Sequence, residues 1–126
     1  MKKIGLITSN KLFAQSLTDA VKHYPSLEFD LRLLLNPGQA TLDAEVQKID
    51  VAVVDTTLTV LNGLTALQSF CGQLRQAAVR KIVLLVPQED EAVMDAAIAA
   101  VKRKGADDYI FFNESLDYLF AKLLAL

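Results

Sequence analysis

The chain has 126 residues, 52% hydrophobic and 22% charged, with 13 basic against 15 acidic side chains and a formal net charge of -2. That size and apolar content suffice for one domain that folds without a disulfide or metal staple, and they exclude intrinsic disorder. The slightly acidic balance gives no general attraction to nucleic acid or an anionic membrane, the local cluster Lys102, Arg103, Lys104 excepted.

Lys3 to Ile7 is a short apolar run that ends in polar Thr8, Ser9 and Asn10, and Phe13, Leu17, Ala20, Val21 and Tyr24 follow at helical spacing. The pattern predicts a strand and then a helix. After Pro25, Leu27 to Leu35 reads as a second strand. Asn36-Pro37-Gly38-Gln39 then supplies a capping asparagine, a proline at the first helical position and a glutamine three residues after the cap, so a second helix is expected there. Ile49 to Val54, apolar apart from Asp50 and β-branched, predicts a central strand covered on both faces that ends at Asp55. A third helix after Asn62-Gly63 carries Leu64, Leu67, Phe70, Cys71 and Leu74 as one stripe.

Ile82 to Val86 repeats the buried-strand pattern and is stopped by Pro87. Glu89, Asp90 and Glu91 place negative charge where the dipole of a fourth helix favours it; Lys102 to Lys104 close that helix, and Gly105 is expected to take the left-handed turn after it. Tyr109 to Phe112 is the fifth strand, and Asn113 is expected to cap a last helix with Leu116, Leu119, Phe120 and Leu123. Strict alternation with short connections implies a parallel sheet with helices on both faces. No apolar run approaches the roughly eighteen residues needed to cross a bilayer, and Ile4 to Ile7 is too short for an export signal. The single cysteine, Cys71, cannot close an internal disulfide, so a reducing compartment, the cytoplasm, is the expected location.

In an open parallel sheet, ligands collect beyond the carboxyl ends of the strands, near the point where strand order reverses. The predicted strands bring Thr8, Ser9, Asn10, Asn36, Asp55, Thr56, Pro87, Gln88, Phe112 and Asn113 to that crest, and Asp55 alone ends a strand with a carboxylate. No G-x-G-x-x-G follows the first strand and no G-x-x-x-x-G-K-[ST] occurs, which excludes the usual dinucleotide and nucleoside triphosphate cradles. Thr8-Ser9-Asn10 also lacks the glycine that lets backbone amides turn around a flavin phosphate. His23, the only histidine, falls near the end of the first helix, away from the crest, and reads as a surface residue. Cys71 lies in a core stripe with no base to activate it.

Asp55-Thr56-Thr57-Leu58-Thr59-Val60-Leu61-Asn62-Gly63 is similar to the D-x-x-[LM]-P-x-x-[DN]-G segment of the receiver domains of two-component response regulators, with Thr59 in place of the proline. Gly105-Ala106-Asp107-Asp108-Tyr109 matches the same family's G-A-x-x-[YF] lead into the fifth strand. The chain resembles a receiver domain over essentially its whole length, as a single domain over 1–126. The resemblance implies the flavodoxin-like (βα)5 fold, a three-layer sandwich with a five-stranded parallel sheet of order 2-1-3-4-5. It also implies that Asp55 stands in the place of the phosphoacceptor, Thr8 and Ser9 in the places of the acidic pair, Val86 in that of the hydroxyl residue ending the fourth strand, Phe112 in that of the lysine, and Tyr109 in that of the switch aromatic.

The family's phosphoryl transfer rests on magnesium, which demands hard oxygen ligands and neutralises the transferring group. Neutral hydroxyls at Thr8 and Ser9 are poor replacements for two carboxylates. The expectation is an atypical receiver, without catalytic residues or a cofactor and not an enzyme, in which Asp55 is kept as a structural carboxylate that accepts hydrogen bonds from loop amides. The alternative is a phosphoryl-accepting receiver with Asp55 as the aspartyl-phosphate site, Mg2+ held with the help of other groups, and a transcriptional or other output domain under its control.

The predicted fourth helix carries Val93, Ala97 and Ala100 as one apolar line and Met94, Ile98 and Val101 as another, more than covering a sheet requires. The resemblance implies docking or dimerisation through the fourth helix, fifth strand and fifth helix. The expected interaction face is Val93, Ala97, Ala100 and Tyr109, and the expected partner a protein or a second copy, with no direct nucleic-acid or membrane binding. Small-molecule sensing in the crest left uncharged by Thr8, Ser9, Val86 and Phe112 is a third idea without a motif. No helix-turn-helix follows the last predicted helix, which leaves a module acting alone or the receiver part of a longer regulator.

Overall fold

The computed structural model describes residues 2–24 and 28–126. In chain order it contains β1 (Lys2–Ile7), α1 (Lys11–Lys22), β2 (Phe29–Leu34), α2 (Ala40–Val46), β3 (Val51–Asp55), α3 (Leu64–Gln76), β4 (Lys81–Val86), α4 (Glu91–Lys102), β5 (Asp108–Phe111) and α5 (Leu116–Ala125), with short 3-10 turns at Pro37–Gln39 and Thr59–Leu61. The five strands pair in parallel in the order β2-β1-β3-β4-β5. This is the expected flavodoxin-like topology.

Alternation along the strands divides the core in two. Ile7, Leu34, Ala52, Val54, Ile82, Leu84 and Val86 pack under α2, α3 and α4, against Ala40, Ala44, Leu67, Leu74, Ala97 and Ala100. On the other face, Ile4, Leu6, Val51, Val53, Val83 and Leu85 pack under α1 and α5, against Leu17, Leu119, Phe120 and Leu123. β1, β3 and β4 lie inside the sheet and are covered on both faces, which is why their sequences are nearly unbroken apolar runs.

Local details depart from the sequence expectations for identifiable reasons. The predicted start of the second strand at Leu27, like Pro25 before it, lies outside the described residues; the strand runs from Phe29. Asn36 does cap, accepting from the Gly38 N–H at 3.1 Å, but it opens the 3-10 turn. α2 starts only at Ala40, and Gln39 makes no side-chain cap. Asn113 does not cap α5: Ser115 accepts from the Tyr118 N–H at 3.2 Å, while the Asn113 amide donates to Gln88 Oε1 at 2.5 Å. β5 ends at Phe111, leaving Phe112 just beyond it.

The left-handed residue after α4 is Lys104 (φ 63°) instead of Gly105. Gly105 itself keeps a φ outside the left-handed region, and a Cβ there would meet the Ala100 carbonyl oxygen at 3.4 Å, an ordinary van der Waals distance. Gly63 is the glycine with positive φ among the described residues, at 92°, where the chain turns into α3.

Candidate functional site

Strand register builds the site. β1 and β3 pair with Ile7 opposite Val54, so the next residues, Thr8 and Asp55, come abreast at the carboxyl end of the sheet. Both are buried, Thr8 at 0% and Asp55 at 2% relative exposure. The Thr8 hydroxyl donates to Asp55 Oδ2 at 2.7 Å. Asp55 Oδ1 accepts from the Thr57 N–H at 2.9 Å and from the Thr57 hydroxyl at 2.6 Å. A carboxylate taken out of water is costly unless donors replace the solvent, and here three do so. Among the described residues no buried side-chain nitrogen or oxygen lacks a partner.

The neighbouring groups extend this network. Thr8 Oγ1 accepts from the Asn10 N–H at 3.1 Å, and Asn10 caps α1 by accepting from the Phe13 N–H at 3.0 Å. Ser9, between them, is exposed. The Thr56 hydroxyl donates to the Leu85 carbonyl at 2.6 Å and its N–H to the same oxygen at 3.1 Å, which ties the end of β3 to β4. Val86 is fully buried. The Phe112 N–H donates to the Val86 carbonyl at 3.0 Å, and its ring meets Phe13 edge to face at 5.3 Å, so the place of the family's lysine holds an aromatic contact with α1.

The residues present do not fit the magnesium ion that the resemblance implies. A hard divalent cation needs several oxygen acceptors pointing at one point. The groups aimed at Asp55 are instead hydroxyl and amide donors, and among the described residues no group of three or more His, Cys, Asp or Glu could hold a metal. Thr57 is a site residue that the sequence reading passed over. Its signal was available: a carboxylate accepting from the N–H two residues on is a standard Asx turn, and a hydroxyl at that second position adds a further donor.

The remaining predicted residues separate. Tyr109 is half-buried on β5 and stacks edge to face on Phe111 at 5.7 Å. Val93 is half-buried and lines a depression of about 230 Å³ with Thr56, Thr57, Leu58 and Asp90. Ala97 and Ala100 correct the expected interaction face: both are 0% exposed and pack into the core, because the small side chains let α4 lie close on the sheet. Met94, Ile98 and Val101, like Val93, are half-exposed on α4. His23 is exposed at the end of α1, its Nδ1 2.7 Å from the Asp19 carbonyl oxygen. Burial pushes the Cys71 thiol up to about 11, which makes it inert.

No protein-family model matches the chain. No curated protein matches it either. Solved structures do. The chain is similar to the N-terminal domain of the nisin resistance regulator NsrR, a lantibiotic response regulator, at a TM-score of 0.77 and 22% identity over 99% of this chain and 97% of that one. A two-component response regulator from Clostridium difficile gives 0.75 and 22%, over 99% and 94% of the two chains. The chemotaxis protein CheY4 of Vibrio cholerae gives 0.74 and 15%, over 99% and 98%. The fold of this chain is that of response-regulator receiver domains.

Proposed function

We propose that this chain is an atypical receiver module that signals by protein-protein contact and does not use magnesium-dependent phosphorylation. The observation that carries the reading is the Asp55 carboxylate, buried and held by Thr8 and Thr57, with hydroxyl donors where the family's chemistry needs acidic ligands. Val86 and Phe112 support it, since neither offers the hydroxyl or the ammonium that would hold a phosphoryl group. The contact surface is the outer side of α4 with β5 and α5, where Met94, Ile98, Val101, Tyr109 and Phe111 are half-exposed. The occupant is a protein partner or a second copy, and the module works in the cytoplasm without a cofactor.

The test is an amide NMR titration with magnesium and then beryllofluoride, a mimic of the aspartyl-phosphate group. The expected result is no saturable shift at Thr8, Ser9, Asp55 or Tyr109 at millimolar magnesium. Saturable shifts running from Asp55 to Tyr109 would overturn the reading in favour of Asp55 as a phosphoacceptor.

A further inference from the structure

The two edges of the sheet differ. At the β5 edge the strand has four residues, and Lys122 of α5 reaches across to Asp108. The other edge is β2, six residues long with the sequence Phe-Asp-Leu-Arg-Leu-Leu. Natural sheet edges are usually guarded by charged side chains, proline, a bulge or a covering segment. The two charges of β2 neutralise each other: Arg32 Nε and Nη2 each donate to an Asp30 oxygen at 2.9 Å. No other element donates a hydrogen bond to the outer edge of β2 among the described residues.

The Thr8 N–H donates to the Leu34 carbonyl, so Leu34 turns its backbone groups toward β1. By strand alternation Asp30 and Arg32 do the same, and the N–H and C=O groups of Phe29, Leu31 and Leu33 point out of the open edge. An antiparallel copy of β2 centred on Leu31 would then pair Leu31 with Leu31 and Phe29 with Leu33, giving about six backbone hydrogen bonds. In that register Asp30 lies opposite Arg32 of the second copy, in the non-hydrogen-bonded pairs where side chains approach most closely. The charge pattern is complementary to itself in this arrangement.

We infer that β2 is a dimerisation edge, and that a second copy of this chain adds to it antiparallel about Leu31 to make one continuous ten-stranded sheet. Leu33, 36% exposed, gains cover from Phe29 of the partner copy, and the Asp30–Arg32 pairs are exchanged between chains. This surface is separate from the α4 face proposed above, and the inference stands independently of the magnesium question.

Sedimentation velocity on the full chain from about 0.01 to 1 mM, the range in which a small interface associates, tests it. The wild-type chain is expected to dimerise. Arg32→Asp alone sets like charges across the pair and is expected to weaken the dimer about tenfold or more, and Asp30→Arg alone does the same. Mixing the two variants restores association as a heterodimer, because each supplies the charge the other lacks. Circular dichroism of each variant checks that the fold is intact. A wild-type chain that stays monomeric throughout overturns the inference. So does a dimer that ignores both charge changes, including one that Ile98→Glu abolishes, which would place the contact on α4.

Discussion

Replacing Thr8 by valine keeps the side chain's shape and removes its hydroxyl. The loss falls on Asp55 Oδ2, which gives up a 2.7 Å bond inside the fold. The Asn10 N–H also loses its acceptor, but that group lies on the partly exposed side and turns to water. A hydrogen bond to a charged group contributes about 1.5–3 kcal/mol, and a buried acceptor left unmade costs about 1–3 kcal/mol. The two figures overlap, so the expected destabilisation is about 2–4 kcal/mol, a large share of the roughly 5–15 kcal/mol that holds a domain together. Unfolding entropy of about 2.1 cal/mol/K per residue gives about 4 °C per kcal/mol for a chain of 126 residues, hence a Tm lowered by about 8–15 °C.

Urea unfolding followed by circular dichroism measures the change. Repeating Thr8→Val in an Asp55→Ala background, which leaves no acceptor, isolates the pairwise part, expected at about 1–2 kcal/mol. Thr57→Val serves as a control: it removes one hydroxyl from a more exposed residue and leaves the backbone N–H bond in place, so about 0.5–1.5 kcal/mol is expected. A Thr8→Val cost under about 0.5 kcal/mol, or one that is the same in the Asp55→Ala background, would refute the idea that this hydroxyl holds the carboxylate.

Two further outcomes follow from burial. Ala97→Glu buries an unpaired carboxylate under the sheet and is expected to cost about 3–5 kcal/mol or to prevent folding, while Ile98→Glu one residue on stays within about 1 kcal/mol; equal urea midpoints for the two would refute the orientation of α4. Cys71, raised to about 11 by burial, is expected to react with iodoacetamide at pH 8 about a hundredfold more slowly in the folded chain than in urea, and equal rates would contradict its place in the core.

The architecture was legible because the strands carry their burial in their composition: Val51 to Val54 and Ile82 to Val86 are short, β-branched apolar runs, and both are strands covered on both sides. Punctuation was less so. Asn113 and Ser115 are both good capping residues two positions apart, and only the path of the chain after Phe111 decides between them. Gly105 looked like the left-handed residue, yet Lys104, one residue earlier, takes that conformation. On α4, two apolar lines were visible in sequence. A pair of alanines is ambiguous on hydrophobicity alone, and the tight packing that buries Ala97 and Ala100 is a property of helix-to-sheet distance. At the site, the sequence located Asp55 and Thr8. The direction of the hydrogen bond between them required the β1–β3 register.

The threonine clamp on Asp55 also bears on time and supply. A loop held by a bound ion or a transferred group takes its position from concentrations outside the protein, and relaxes when they fall. Covalently built-in hydroxyls have no such dependence, since Thr8 and Thr57 are present at a fixed local concentration for as long as the chain is folded. On the function proposed above, the connection between β3 and α3 is set once, at folding, and does not follow divalent-ion level or phosphoryl supply. Under that proposal such a part behaves as a constant in a circuit, and variation in its output comes from how much of it is made and what it meets.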